Sequence, residues 1–149
     1  MIIRKATKKD LNKIAELFLE YDKLEHKLDR NVKLFSLKET ENSEREHMKL
    51  GTEYLLAEED KEVLGVLNMN IDKRGKEKMG VLHTLIVTEQ SRGKGVGKKL
   101  VKQAFDYFKK NGCRRVKTFI HKMNENAKGF WEKQGFHLEE GYHAVRMLK

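Results

Sequence analysis

Residues 85–100 read Leu85-Ile86-Val87-Thr88-Glu89-Gln90-Ser91-Arg92-Gly93-Lys94-Gly95-Val96-Gly97-Lys98-Lys99-Leu100. The apolar start predicts a buried strand, and the glycines after the polar turn predict the beginning of a helix. The first turn of a helix leaves backbone N–H groups without intrahelical partners, and the helix dipole places partial positive charge there. Glycines let an anion approach the backbone closely. This stretch therefore predicts a strand, a turn and a helix whose start suits a diphosphate.

Basic side chains accompany these glycines and would add countercharge to a bound anion. They are Arg92, Lys94, Lys98 and Lys99. Between residues 90 and 122 the chain has eleven lysines and arginines and one acid, whereas the net charge of all 149 residues is +9. The positive charge is thus concentrated around the glycines. A solvated charged face is the alternative interpretation of such a run.

Two other phosphate motifs fit the glycines less well. A P-loop has four residues between its first glycine and a Gly-Lys-Ser/Thr triplet, but three residues separate Gly93 from Gly97, and Lys99 follows Lys98. A dinucleotide fingerprint has the spacing Gly-x-Gly-x-x-Gly in the first strand-helix unit. Here the spacing is Gly-x-Gly-x-Gly and lies past the middle of the chain. These differences exclude a nucleoside triphosphate or dinucleotide motif at this position.

Length and composition predict a single domain over residues 1–149. No stretch approaches the ~20 apolar residues of a membrane span, and the first residues lack the apolar core of a secretory signal. We therefore expect a cytoplasmic protein without a membrane partner. Cys113 is the only cysteine, which excludes an internal disulfide. The histidines show no His-x-x-x-His spacing, so we expect no metal site.

The rest of the chain alternates between strand-like and helix-like patterns. The predicted strands cover residues 2–6, 54–57, 63–71, 81–87 and 116–120, with a turn at 72–78 and a terminal hairpin at 136–148. The first predicted helix begins after a cap at Thr7 and Asp10 and ends near residue 25. Two further helices are predicted from about 93 to 111 and from 124 to 134. Residues 26–50 predict a loop plus a helix. This order indicates an α/β protein built around one sheet.

Three segments also match a known pattern in the same order along the chain. The first covers residues 3–11, and the second is Gln90-x-x-Gly93-x-Gly95, overlapped by Arg92-Gly93-x-Gly95-Val96-Gly97. The third is Asn124-Glu125-Asn126-Ala127-Lys128-Gly129-Phe130-Trp131-Glu132-Lys133-Gln134-Gly135-Phe136. Together they resemble the start, the pyrophosphate loop and the later Asn-x-x-Ala, aromatic-pair and Gly-Phe segment of the GNAT superfamily of N-acetyltransferases. Only the region around residues 26–50 is unmatched.

The resemblance implies a mixed, mostly antiparallel twisted sheet flanked by helices on both faces, with acetyl-CoA (acetyl-coenzyme A) as the cofactor. Strand 81–87 would separate from the next strand, and its backbone would bind the pantetheine arm and polarise the thioester carbonyl. The cofactor-binding residues would be Leu85, Ile86, Val87, Arg92, Gly93, Lys94, Gly95, Val96, Gly97, Lys98, Asn124, Trp131 and Lys133. The last three also have simpler interpretations: a helix cap, a core aromatic and a solvated lysine.

The resemblance also implies direct attack of an amine on the acetyl group, with two candidate catalytic residues. His83 lies where many relatives have a glutamate base, and an imidazole titrates near neutrality. A hydrogen-bonded strand histidine is the alternative. Relatives commonly have a tyrosine acid where Trp131 stands, and an indole cannot replace it. Either Tyr142 or water would then protonate the thiolate, or no protein acid is used; Tyr142 could equally be a packing residue.

The acceptor stays open on this evidence: a small primary amine, an amino acid, a polyamine, or a protein lysine or N-terminus. The expected partners are acetyl-CoA and this amine, and a homodimer is compatible with the sequence. One competing hypothesis is an acyl-CoA-binding sensor without turnover. Another is a basic module that binds nucleic acid, but the basic segment has few aromatic residues suited to base stacking.

Overall fold

The computed structural model describes residues 1–120 and 124–139. The chain divides into two compact units, residues 1–119 and residues 120–149. The single domain over residues 1–149 stays a prediction. No helix in the described ranges has the length and apolar content needed to cross a bilayer.

The first unit contains a five-stranded sheet in the order β1-β2-β3-β4-β5. Its strands are β1 (Ile2–Lys5), β2 (Glu53–Glu59), β3 (Glu62–Arg74), β4 (Glu77–Val87) and β5 (Arg115–Thr118). Its α-helices are α1 (Leu11–Leu28), α2 (Leu37–Lys49) and α3 (Val96–Lys110). Neighbouring strands are antiparallel except β4 and β5, which are parallel. The predicted mixed and mostly antiparallel sheet is confirmed.

Adjacent residues of β3 show that helices cover both faces of the sheet. Val66 packs in a cluster with Ile14 and Leu17 of α1. A Cβ placed on the preceding residue, Gly65, would lie 3.3 Å from the Val96 side chain of α3. Because successive residues of a strand point to opposite faces, α1 and α3 lie on opposite sides. The predicted arrangement of helices on both faces is confirmed.

The predicted cap at Thr7 is present. The Thr7 N–H donates to Asp10 Oδ2 over 2.8 Å, and the Thr7 hydroxyl accepts from the Lys9 N–H over 3.3 Å. This capping box lies at the start of a short 3₁₀ turn that leads into α1. Arg4 of β1 binds the Asp10 carboxylate over 2.7 Å and holds the pKa of Asp10 at about 2. The start of α1 is thus tied to β1, and the helix continues past the predicted end near residue 25.

Residues 26–50 contain the predicted loop and helix, and the helix, α2, has no apolar inner face. The Ser36 N–H donates to Glu39 over 2.8 Å, which caps the start of α2. The buried residues of α2 are polar: Thr40 and Glu44. A helix whose inner face carries a hydroxyl and a carboxylate has no apolar stripe for periodicity to detect.

β5 covers residues 115–118 where 116–120 was predicted, and the boundaries on either side of β4 also differ. The turn predicted at 72–78 is shorter, because β3 continues to Arg74 and β4 already begins at Glu77. Gly75, with φ 60°, lies in the turn between them. The helix predicted from about Gly93 begins at Val96. The two glycines before it have left-handed backbone, which cannot be part of a right-handed helix.

The described part of the second unit is a single helix, α4 (Glu125–Lys133), and the segments beside it. The Asn124 side chain accepts from the Ala127 N–H over 3.0 Å and caps the helix. Trp131 makes edge contacts with Phe130 and Phe136, each with ring centroids 5.1 Å apart. The hairpin predicted over 136–148 lies mostly outside the described residues; residues 136–139 form no strand.

Candidate functional site

The loop before α3 is open to solvent at two glycines. Gly93 has φ 74° and Gly95 has φ 78°, both in the left-handed region that glycine adopts most easily. A Cβ placed on either glycine would meet no heavy atom within 4 Å. The backbone between β4 and α3 therefore offers free space that a ligand can enter and a side chain would fill.

The first turn of α3 directs three backbone N–H groups toward this space. The first intrahelical bond after the N-cap runs from Lys99 N to Gly95 O over 3.1 Å, so the N–H groups of Val96, Gly97 and Lys98 precede the helical ladder. Gly95, at the N-cap, has no side chain that could accept from them. The helix dipole adds partial positive charge at the same place. Together these features suit an anion.

Cations lie around the loop. Arg92, Lys94 and Lys98 are exposed. The Met1 ammonium lowers the pKa of the Glu59 carboxyl by a direct bond, and the nearby charge of Lys94 lowers it further. Arg92 Nε donates to the carbonyl of Val87 over 3.3 Å. The loop thus presents its positive charge next to the end of β4.

At the end of β4 the ladders with β3 and β5 stop at different residues. Its parallel ladder with β5 ends at the pair Leu82 and Thr118, while its ladder with β3 continues to Val87. In the part of the chain that the structure describes, residues 83–87 have no strand partner on the β5 side. The pairing with β5 therefore ends before residues 83–87, and the separation of the two strands that the resemblance implies stays a prediction.

The polar groups of β4 alternate between this free edge and β3. The Thr88 N–H donates to Leu64 O over 2.9 Å, so the backbone of Thr88 faces the β3 side. By alternation, Val87 and Leu85 direct their N–H and C=O groups to the free edge, and Ile86 directs its groups to β3. Two of the three predicted arm-binding residues therefore have backbone groups aimed at the gap.

His83 is the extra residue of a β-bulge. Thr84 pairs with Asn68 and Leu82 pairs with Met69, so no residue of β3 opposes His83. Bulges re-aim side chains and are frequent near functional sites. Here the His83 ring hydrogen-bonds through Nε2 to the side chain of Asn70.

The pKa of His83 is lowered from its ordinary value. Partial burial is the main cause, although part of the ring remains exposed. Asp72 opposes the shift, while His47 and Lys117 add to it. A lowered pKa keeps the imidazole neutral at neutral pH, the form that can accept a proton.

The sequence did not predict the polar side chains close to the bulge, which are Glu44, Tyr54 and Asn68. The Tyr54 hydroxyl donates to Glu44 Oε2 over 2.5 Å, and both side chains are buried. Asn68 accepts from the Thr84 N–H over 2.7 Å. The spacing of Thr40 and Glu44, one helical turn apart, was the only signal, and such a pair normally faces solvent.

The remaining predicted residues belong to the second unit. Asn124 caps α4, Trp131 is buried, and Lys133 is exposed at the last position of the helix. Tyr142 lies outside the described residues. The first unit thus brings His83 and the loop residues onto consecutive segments, and the roles of these other residues stay predictions. Within the described ranges, no group of three or more His, Cys, Asp or Glu side chains could hold a metal ion.

Comparison with known proteins gives a consistent result. A family model described as "Acetyltransferase (GNAT) family" matches residues 11–136. An uncharacterized N-acetyltransferase of Bacillus subtilis, YhfO, is 26% identical over 146 residues, which cover 95% of this chain and 93% of that protein. An uncharacterized N-acetyltransferase of Methanocaldococcus jannaschii, MJ1207, is 33% identical over 81 residues, 54% of this chain but 34% of that protein. A crystal structure of a probable acetyltransferase superposes with a TM-score of 0.83 at 19% identity, covering 100% and 98% of the two chains.

Proposed function

This chain belongs to the acetyltransferase (GNAT) family and is an acyltransferase, and on that premise we propose that it moves an acetyl group from acetyl-CoA to the nitrogen of an amine by direct attack. One observation carries the proposal: residues 88–95 connect the end of β4, which has no β5 partner, to the uncapped start of α3. A strand edge with free polar groups, followed along the chain by an anion site, suits a ligand that has an amide-containing arm and a diphosphate.

The loop before α3 fits the diphosphate. The free space at Gly93 and Gly95 would admit phosphate oxygens next to the backbone. The N–H groups of Val96, Gly97 and Lys98 would donate to these oxygens, and the side chains of Arg92, Lys94 and Lys98 would balance their charge. The family's use of acetyl-CoA and the chemistry of this loop therefore agree.

The free edge of β4 suits the amides of the pantetheine arm. Leu85 has both backbone polar groups on that edge, whereas the Val87 carbonyl already accepts from Arg92. Backbone N–H groups here would polarise a carbonyl oxygen. When bound, acetyl-CoA supplies the thioester whose carbonyl carbon the amine attacks.

The resemblance also assigns cofactor binding to three residues of the second unit, Asn124, Trp131 and Lys133. Asn124 already uses its side-chain oxygen to cap α4, so its NH₂ group is the part available to a ligand. Trp131 would contribute apolar contact and Lys133 a further positive charge. These three roles rest on the resemblance.

His83 is the proposed base. Its lowered pKa makes the neutral imidazole the main form at neutral pH, so it can take the proton that the amine loses as the carbon–nitrogen bond forms. The carbon–sulfur bond breaks, and the departing thiolate takes a proton from Tyr142 or from water. The acceptor is an amine, either small or part of a protein.

A screen of amines for thiol release from acetyl-CoA tests the proposal. The panel should include primary amines, amino acids, polyamines and lysine peptides. We expect at least one class to raise thiol release well above the rate in water. Retention on coenzyme A resin with no amine-dependent release would instead indicate an acyl-CoA-binding sensor. Binding to duplex DNA that weakens steeply with salt, without coenzyme A binding, would indicate a nucleic-acid module.

A further inference from the structure

A chain of four polar side chains leads from β5 to His83. Lys117 Nζ binds Asp72 Oδ2 over 3.2 Å. The Asn70 amide donates through Nδ2 to Asp72 Oδ1 over 3.4 Å. On its other side the Asn70 oxygen contacts Nε2 of His83. Asn70 and Asp72 are two residues apart on β3, so their side chains lie on the same face of the sheet. The contact with Asn70 places the side chain of His83 on that face as well.

These contacts determine how the Asn70 amide is oriented. Asp72 is an ionised acceptor whose pKa is lowered by its bond to Lys117, so it requires a donor from Asn70. The NH₂ group of Asn70 satisfies this, which leaves the amide oxygen facing His83. A flipped amide would put two acceptor oxygens against each other at Asp72, an unfavourable arrangement.

We propose that Asn70 is a positioning residue that holds the His83 imidazole with its proton on Nε2 and its lone pair on Nδ1. This inference rests on the proposed function, in which His83 accepts the amine proton. The oxygen of Asn70 can only accept, so Nε2 must donate, and in a neutral imidazole the other nitrogen is then the acceptor. Nδ1 is therefore the atom that receives the proton.

The pair also fixes the direction of the ring at the bulge. A bulged residue lacks a direct cross-strand partner, so its side chain has no neighbour opposite it to define its rotamer. The bond to Asn70 supplies this definition. The charged or titratable groups that act on His83 from the neighbouring elements are Asp72 on β3, His47 on α2 and Lys117 on β5.

The tautomer can be measured without substrate. In protein with ¹⁵N-labelled histidine at a pH above the pKa of His83, two-bond correlation spectra show which ring nitrogen carries the proton, and a His83→Ala spectrum identifies the signal. We expect the wild-type proton on Nε2. In Asn70→Leu, which keeps the side-chain size but removes the acceptor, we expect a mixture of tautomers and a loss of at least ~10-fold in kcat.

Asn70→Asp is the conservative variant. Its carboxylate keeps an acceptor facing Nε2, so the tautomer should be retained. The added negative charge should raise the pKa of His83 and move the acid limb of the pH–kcat profile upward by ~1 unit or more. A retained tautomer in this variant beside a mixture in Asn70→Leu would show that the acceptor, and not the packing at residue 70, places the proton. The matched control is Asn12→Leu, the same exchange at an exposed position of α1, which should leave tautomer and kcat at wild-type values.

The outcomes separate the two proposals. A wild-type proton on Nδ1, or an unchanged tautomer in a folded Asn70→Leu variant, would overturn the positioning role whatever the activity of His83→Ala. If the tautomer depends on Asn70 but His83→Ala keeps the full kcat, the base role fails and the placement of the proton by Asn70 stands. Should Asn70→Leu not fold, the tautomer spectra of the wild type and of Asn70→Asp still decide the question, since a proton on Nδ1 in either would overturn the positioning role.

Discussion

Arg92 Nε donates to the main-chain carbonyl of Val87 over 3.3 Å, which ties the glycine loop before α3 to the last residue of β4. The bond uses one of the polar groups on the free edge of β4 and keeps the guanidinium close to the strand. The anion site and the strand edge are therefore held at a defined spacing. A ligand with a diphosphate at one end and an amide arm at the other would use both.

Gly95→Glu should abolish coenzyme A binding. The new side chain would occupy the free space above the loop, place a negative charge at the start of α3 and strain a residue at φ 78°. We expect a loss of more than ~100-fold in affinity by calorimetry, since a carboxylate would replace the phosphate oxygens. Gly112→Glu is the matched control, because Gly112 has φ 82° and open space but lies after the other end of α3. Similar coenzyme A affinities for both variants would show that the loop is not part of the coenzyme A site.

His83→Ala should remove the acid limb of the pH–kcat profile. A base acts when deprotonated, so wild-type kcat should rise with pH through the pKa of His83, at a midpoint below its ordinary ~6.5 because burial lowers it. The variant should lose ~100-fold or more in kcat at neutral pH. His137→Ala, an exposed histidine, is the control and should keep the profile. A pH–kcat profile of His83→Ala identical to that of the wild type would show that His83 is not the base.

Tyr142→Phe should slow the transfer step if the tyrosine protonates the leaving thiolate. Phenylalanine has the same ring but no hydroxyl proton to give, so single-turnover rates should fall while the affinity for coenzyme A stays the same. We expect a loss of ~10-fold or more, the lower range for general acid catalysis. A full rate in this variant would leave water as the donor.

The sequence was informative wherever a local rule decides the structure. The glycines at 93 and 95 and the apolar stripe from Val96 onward predicted the loop and α3, because turn conformation and helix periodicity are local properties. The bulge at His83 depends on how β4 aligns with β3, and no residue nearby signals it. A helix was predicted within residues 26–50, but the buried polar side chains of α2 were not, because their partners lie on another element, such as Tyr54 of β2 for Glu44.

Gly80→Ala should destabilise the first unit. A Cβ at Gly80 would lie 2.6 Å from the ring of Phe108, so β4 and α3 would have to separate. Overpacking of this kind costs about 1–3 kcal/mol in the free energy of unfolding. The contrasting variant is Gly129→Ala in α4, where a Cβ meets no atom within 4 Å and better helix propensity should stabilise by up to ~1 kcal/mol. Equal thermal midpoints for the two variants would contradict the close packing of Gly80 on Phe108.

The central claim is that the backbone at the start of α3 binds a diphosphate. The most direct measurement is a titration of ¹⁵N-labelled protein followed through the amide signals of Val96, Gly97 and Lys98, once with coenzyme A and once with pantetheine, which lacks the diphosphate. We expect large shifts of these three signals with coenzyme A and small ones with pantetheine. Binding of coenzyme A that leaves the three signals in place would contradict the account.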